Sequence, residues 1–440
     1  MATATVPLSP PPAVPVPDAG PKAIEFPVAA GVPAPTPAPA PASGSALLGT
    51  YRRAPMSFVR GAGMELYDAT GRGWLDFTSG IGVMALGHDD HGVRQAMQQA
   101  LDTGLVHVSN LFSTAPGEEL AKALVQRSFA DKVFFCNSGA EANEGAFKFA
   151  RRWARLHGGA NKNEIVALRG AFHGRLMGTL AATDRAHYRV PFRPLAGGIS
   201  ICERDMGELD ARISAEATAA VIVEPVQGES GVRVLDTGFL RELRQLTLER
   251  NVALIVDEVQ CGLGRTGTLF AYEHAGIQPD LMTLAKPLAG GLPMGAVLLT
   301  DAIASAIQPG DHGSTFGGGP FVAAVAVHVL NRVSDPALLG HVRETGAWLG
   351  SELRAIAART GTIRAVRGRG FMWGMDVHFP AARLLEKARE LGLLLLPAGE
   401  YTVRILPPLV ASREELRRGL EILEAALVAA SPPARLEVAP

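Results

Sequence analysis

Cysteine is scarce in these 440 residues: Cys136, Cys202 and Cys261 are three, an odd count without metal-ligand spacing. That argues against a disulfide framework and against a clustered zinc or redox site, and suits a reducing compartment. Net charge is nearly absent too. Lys plus Arg total 42 against 43 Asp plus Glu, so nothing in the balance draws nucleic acid or an anionic membrane, and a small-molecule partner is expected. Long apolar runs are missing: a stretch such as Leu393 to Leu396 is closed off by Gly392 and Pro397, far short of a membrane span. Residues 1–46 hold no arginine and only three charges, Asp18, Lys22 and Glu25. Their Ala, Pro and Val content cannot offset the entropy of ordering, so they are predicted to be disordered. Transit peptides are usually rich in Arg and Ser. A soluble cytoplasmic protein is therefore expected, or one of the plastid or mitochondrial matrix if residues 1–46 are a transit segment.

What the chain does have is apolar content, 47% of residues against 19% charged, enough for a large domain and a smaller one. From Met56 the segment SFVRGAGMELYDATGRGWLDF alternates apolar and polar residues around glycine turns, which predicts an antiparallel meander. Beyond Asp89, helical periods such as HGVRQAMQQALD and GEELAKALVQRSF alternate with the short apolar strands KVFFC, EIVALR, AAVIVEP and VALIVDE. Such alternation predicts an α/β fold with a mostly parallel sheet flanked by helices. After about Val329 come a long amphipathic helix, ALLGHVRETGAWLGSELRAIA, and a strand pair, VRGRGFMWGMDVHF. The expected organisation is a head (1–46), the N-terminal part of a small α+β domain (47–88), a large domain (89–330), the C-terminal part of the small domain (331–430) and a tail (431–440).

Four places in the α/β section carry candidate chemistry. Asn137-Ser138-Gly139-Ala140 follows the strand KVFFC and opens a helix; free N–H groups and the positive dipole end suit a phosphate, although an ordinary capped helix reads the same way. Phe172-His173-Gly174-Arg175 follows EIVALR, with a ring that can stack on a pyridine face and a guanidinium that can fork a carboxylate. His173 alone is more often structural than catalytic. Asp257 ends the apolar run VALIV, at the strand edge where open α/β sheets bind ligands, and can keep a pyridine nitrogen protonated. Gln260 is placed to donate to a ring oxygen. Lys286, between DLMTLA and the glycine-rich ALAGGLPMGA, has no charged neighbour between Asp280 and Asp301, and burial there would free its amine for Schiff-base chemistry. Each has a bland reading alone; together they fit a phosphorylated pyridine.

One decoy spells G-x-G-x-x-G: Gly262-Leu263-Gly264-Arg265-Thr266-Gly267. A dinucleotide fingerprint needs its first glycine at the strand end and a helix on its last. Here Asp257 to Cys261 intervene, and Thr268-Leu269-Phe270 offers no cap.

In this order, FFCNSGAEANE, AFHGR, VEPVQGES, DEVQCGLGRTG, LAKPLAGGLPMGA and HGSTFGG resemble the class III aminotransferases, which use pyridoxal 5'-phosphate (PLP), and most closely the acetylornithine aminotransferases, including those of plants. The likeness runs from Gly49 to about Leu427. It implies the fold type I PLP architecture and a homodimer with active sites between subunits. By it Lys286 forms the Schiff base and shuttles a proton, Asp257 pairs with the pyridinium nitrogen, Gln260 meets the ring hydroxyl and Phe172 stacks on the ring. Ser138, Gly139 and Ala140 hold the phosphate, which Thr315 reaches from the partner subunit. Arg175, with Tyr51 and Ser314, takes the distal carboxylate of an ω-amino substrate. Arg404 clamps the near carboxylate of the keto acid, and Glu229 pairs with Arg404 while the ω-amine is bound. No metal is implied. The implied reaction is N2-acetyl-L-ornithine plus 2-oxoglutarate, a step of arginine biosynthesis. Succinylornithine, ornithine, 4-aminobutyrate or a protected lysine are the alternative amines, and a non-catalytic PLP-fold binding protein, or a racemase or mutase, the alternative classes. Two positions depart from the family's usual text: Ser230, where QGEGG or QGEAG is common, and Gly319 in FGGGP.

Overall fold

The computed structural model describes residues 46–431; the expected disordered head and the tail lie, save for Ala46 and Ser431, outside them. Residues 46–56 form a short unit of their own, bends held by local bonds such as Arg53 N–H to the Tyr51 carbonyl at 3.1 Å. In the second unit, Ser57 onward, a meander of β1 (Phe58–Ala62), β2 (Glu65–Asp68) and β3 (Gly73–Asp76) leads into helices α1 (His91–Asp102) and α2 (Ala115–Gln126). Next come β4 (Lys132–Cys136), α3 (Gly139–Gly158), β5 (Glu164–Leu168), β6 (Ile199–Cys202), β7 (Thr218–Val223), α4 (Thr237–Glu249), β8 (Ala253–Asp257), β9 (Leu281–Leu284) and β10 (Gly295–Leu299). The chain continues through α5 (Pro320–Val333), α6 (Pro336–Thr360), β11 (Ile363–Arg369), β12 (Met372–Val377), α7 (Ala381–Glu390), β13 (Leu393–Leu394), β14 (Leu396–Pro397), β15 (Thr402–Ile405) and α8 (Arg413–Ala430).

The large sheet has seven strands in the order β4-β10-β9-β8-β7-β5-β6. Its strands read as continuous apolar runs because both faces are covered; every residue of β7, β8 and β9 is buried. The sheet is mostly parallel, as expected, with one exception: β10 runs antiparallel to both neighbours, Gly295 facing Cys136 and Ala296 facing Leu284. That reversal brings the start of β10 to the edge where β4 and β9 end. The carboxyl ends of β4, β5, β7, β8 and β9 therefore meet the Met294–Gly295 step along one rim, the crevice in which ligands of such sheets are held.

The longest helix over that rim, α3, is capped by Ser138, whose hydroxyl accepts from Glu141 N–H at 3.2 Å, and buries Phe147, Phe149 and Trp153 against the sheet, each worth about 2 kcal/mol of transfer free energy. Two smaller four-stranded sheets flank it. One adds β13, parallel, to the meander in the order β1-β2-β3-β13; the other is β11-β12-β15-β14. The strand pair expected at VRGRGFMWGMDVHF is β11–β12, extended by β15. Among the described residues no single helix is long and apolar enough to cross a membrane.

Candidate active site

A cavity of about 410 Å³ opens on the rim, and Ser138, Gly139, Ala140, Phe172, Arg175, Glu229, Asp257, Gln260 and Lys286 all line it. Strand ends explain the convergence. Residues as far apart in the chain as Ser138 and Lys286 are delivered by β4, β5, β7, β8 and β9 to one edge, each just past its strand's last apolar residues.

Lys286 follows β9 and starts a short 3₁₀ turn, Lys286–Ala289, with φ +29°. A lysine in that left-handed region is strained, a cost met where a side chain must be aimed. Burial pushes its ammonium below the ordinary lysine range, against the raising pull of the Glu229 and Asp257 carboxylates. Burial thereby favours the uncharged amine that Schiff-base chemistry needs. Asp257 is 3% exposed. Its Oδ2 accepts from Asn143 Nδ2 at 2.7 Å and lies 2.8 Å from His173 Nδ1, while Oδ1 accepts from Val259 N–H at 3.0 Å. Asn143 is itself fixed, donating to the His173 carbonyl at 2.8 Å and accepting from Thr283 Oγ1 at 2.7 Å. Such donors hold the carboxylate in a fixed orientation.

Glu224, just beyond β7, is a second buried carboxyl. Burial, then the charges of Asp257 and Glu229, push it well above the usual carboxylate range, which favours its protonated form. Ligand atoms of His173, Glu224 and Asp257 lie within 4.8 Å of one another. Asp257 Oδ2 is already engaged twice, however, and a cation there would have to displace both donors. Among the described residues, His173 Nε2 and Glu224 Oε2 have no hydrogen-bond partner.

The phosphate end is the start of α3. A Cβ on Gly139 would come 2.7 Å from Val259 Cγ1, so the backbone there approaches β8's exit loop as only glycine permits. A phosphorylated pyridine fits this set: helix N–H groups for its phosphate, Asp257 for its nitrogen, Phe172 and Val259 in the walls for its faces. Gln260 has its Oε1 taken by Arg404 Nη1 at 2.9 Å, which leaves its amide N–H groups to donate to a ring oxygen.

Arg404, on β15, is 2% exposed and donates to Glu229 Oε1 at 2.6 Å. Burial alone would raise Glu229, but the guanidinium beside it outweighs that and holds the carboxyl below its ordinary range. Arg175 is exposed and forms no ion pair among the described residues; its guanidinium lies 3.5 Å from the Tyr188 ring centre. Ser314 is outside the lining, but its hydroxyl accepts from Asn137 Nδ2 at 3.2 Å. Thr315 is exposed on the loop before α5. Tyr51 belongs to the 46–56 unit and is 74% exposed.

Four residues escaped the motif reading: Asn143, Glu224, Val259 and Tyr188. Asn143 sits one helical turn past Gly139, and Glu224 ends AAVIV as Asp257 ends VALIV, so both had a signal. Tyr188 had none. The glycine decoy is a turn whose Arg265 is buried and donates to the Phe371 and Pro407 carbonyls, and no helix opens at Gly267. Ser230 donates to Gln227 Oε1 at 3.2 Å. Gly319 caps α5 with φ −52° and nothing nearer than 3.4 Å to an added Cβ, so the residue usual in relatives would fit.

The family model "Aminotransferase class-III" matches residues 49–427. A mitochondrial acetylornithine aminotransferase of Alnus glutinosa is 46% identical over 388 residues, 87% of this chain and 85% of that protein. A succinylornithine transaminase of Yersinia pseudotuberculosis is 44% identical over 386 residues, 85% of this chain and 92% of that protein. Among solved structures, the N-acetylornithine aminotransferase of Stenotrophomonas maltophilia superposes with TM-score 0.76 at 36% identity, covering 86% of this chain and 97% of that one.

Proposed function

The chain belongs to the class-III aminotransferases, PLP-dependent enzymes acting on small molecules, and we propose that it transfers the terminal amine of N2-acetyl-L-ornithine to 2-oxoglutarate. The products are N-acetyl-L-glutamate 5-semialdehyde and L-glutamate, a step of arginine biosynthesis. The observation that carries this reading is the pair of guanidinium sites in different states. Arg404 is latched by Glu229 in the cavity wall, whereas Arg175 has no carboxylate partner among the described residues.

PLP, when bound, supplies an electron sink for the charge that develops at the substrate carbon. Asp257, held by Asn143 and His173, keeps the ring nitrogen protonated. Gln260 would donate to the ring oxygen, Phe172 would offer its ring to the cofactor's face, and Ser138, Gly139 and Ala140 would receive the phosphate at the helix N-terminus. Lys286 Nζ, free once substrate is in place, would act as the base that takes the proton from the substrate carbon. Arg175, with Ser314 and Tyr51, takes the carboxylate distant from the reacting amine. With an ω-amine in place there is no carboxylate beside the reacting carbon, and Glu229 occupies Arg404. With 2-oxoglutarate in place Glu229 yields, and Arg404 forks the near carboxylate. One pocket thereby takes two shapes of substrate.

The same reading makes the enzyme a homodimer. Thr315 is exposed and lies outside its own cavity's lining, which suits a hydroxyl serving the phosphate in a second copy. The compartment is the cytoplasm, or a plastid or mitochondrial matrix if residues 1–46 are removed there; N-terminal sequencing of the native protein distinguishes these.

A steady-state comparison of acetylornithine, succinylornithine, ornithine, 4-aminobutyrate and acetyl-lysine with 2-oxoglutarate tests the assignment. Acetylornithine is expected to have the highest kcat/KM. A tenfold preference for free ornithine would overturn it. Succinylornithine is the second reading, favoured by the 44% identity to a succinylornithine transaminase and by an exposed Arg175.

A further inference from the structure

We propose that Tyr188 is a specificity-determining positioning residue: its ring carries the Arg175 guanidinium by the face and so keeps the N–H edge free for a substrate's distal carboxylate. This rests on the reading of Arg175 as the distal-carboxylate site and adds what holds that arginine in place.

The geometry is built rather than incidental. The Arg175 guanidinium carbon is 3.5 Å from the Tyr188 ring centre and 5.8 Å from that of Phe172. The Phe172 and Tyr188 rings meet edge-on, centres 6.4 Å apart at 78°, and the His187 ring lies tilted against that of Tyr188, centres 4.0 Å apart. Tyr188 itself is half-buried on a helical turn, Ala186–Arg189. Backbone bonds register that turn against the strand end that carries Phe172 and Arg175. Asp184 N–H donates to the Ala171 carbonyl at 2.8 Å, Gly170 N–H to Asp184 Oδ2 at 2.8 Å, and His173 and Gly174 N–H to Thr183 Oγ1 at 3.0 and 3.2 Å.

The choice of an aromatic support has a chemical reason. An arginine fixed by a carboxylate has its forked N–H donors consumed, and a ligand carboxylate must compete for them; the Arg404–Glu229 pair is built that way. An arginine fixed through its π-face keeps all five N–H donors in the plane free. Arg175 is therefore always ready for a carboxylate, while Arg404 is available only when Glu229 yields. The difference in support, tyrosine face against glutamate edge, separates the permanent carboxylate site from the switched one.

The test compares PLP-loaded wild type with Tyr188→Phe, which keeps the face, and with Tyr188→Leu and Tyr188→Met, which remove it. The readout is the ratio of kcat/KM for 2-oxoglutarate to that for pyruvate, which lacks a distal carboxylate, together with competitive inhibition by glutarate against butyrate. The 2-oxoglutarate ratio is expected to fall roughly tenfold in the Leu and Met variants, the scale of a lost cation–π support, through KM rather than kcat, and to hold in Tyr188→Phe. In an Arg175→Met background the Leu substitution should move the ratio no further. An unchanged ratio in both non-aromatic variants overturns the proposal, as does an equal loss in Tyr188→Phe or an equal loss with pyruvate. If wild type prefers an amine other than acetylornithine, the substrate assignment falls while these ratios still decide the role of Tyr188.

Discussion

At the scale of single residues, the site is a buried lysine and a buried carboxylate. Burial lowers the pKa of Lys286, and the Asn143 and His173 contacts fix the position of Asp257. Lys286→Ala is expected to leave a folded protein without the near-visible absorbance of lysine-bound PLP, with kcat lowered about 10³-fold, within the range for a lost proton-transfer group; an absorbance scan and a rate measurement check both. Asn143 separates two further outcomes. Asn143→Ala removes a hydrogen bond to a buried charge, costing about 2 kcal/mol in urea unfolding. Asn143→Asp is nearly isosteric but sets a second carboxylate against Asp257, and should be the worse of the two in both stability and PLP affinity. Lys286 and Asp257 were legible in the sequence because each stands alone at the end of an apolar run. Asn143 had a signal in its place one turn past Gly139, but its pairing was not legible, since its partners Asp257 and Thr283 are 114 and 140 residues away, and only the folded sheet puts them side by side.

At the scale of elements, the strand ends and the α3 N-terminus do the positioning. Gly139→Ala should weaken PLP binding at least tenfold while leaving the far-ultraviolet circular dichroism intact, because a methyl there meets Val259 at 2.7 Å; titration of the apoprotein with PLP reads this. The loop leaving β8 carries a different device. Glu258 is 1% exposed and accepts from the Ala271 and Tyr272 N–H groups at 2.6 and 2.7 Å, yet burial pushes its carboxyl up to about 8. Between the unfolded value near 4.5 and 8, the native state holds a proton that the unfolded chain has released, so its contribution to stability declines as pH rises through that window. Glu258→Gln cannot titrate. Its urea midpoint should change less than that of wild type between pH 5 and pH 8.5, although one acceptor is lost. Element type was legible wherever period and length agreed, as in α1 and β4. The antiparallel sense of β10 was not, since GAVLL reads identically in either direction.

At the scale of the whole molecule, cofactor and fold share one free energy. PLP at a hundred times its Kd should add about 2.7 kcal/mol to the folded state, so stripping it lowers Tm, and the loss should be restored by PLP in wild type and far less in Gly139→Ala; thermal denaturation of apo and loaded protein decides. The α/β alternation announced the large sheet. The small sheet that unites β3 with β13 could not be foretold, because nothing in two residues, Leu393–Leu394, names a partner so far upstream.

That pairing also sets a clock on synthesis. Trp74 Nε1 donates to the Arg389 carbonyl 315 residues later, and Leu393 lies opposite Leu75. The meander therefore leaves the ribosome long before its last strand exists, and its open edge must wait. Arg404 arrives later still. A nascent chain cut short of β13 and β15 has an unfinished sheet and no latch, so the enzyme's own order of translation makes completeness a condition of both folding and substrate choice.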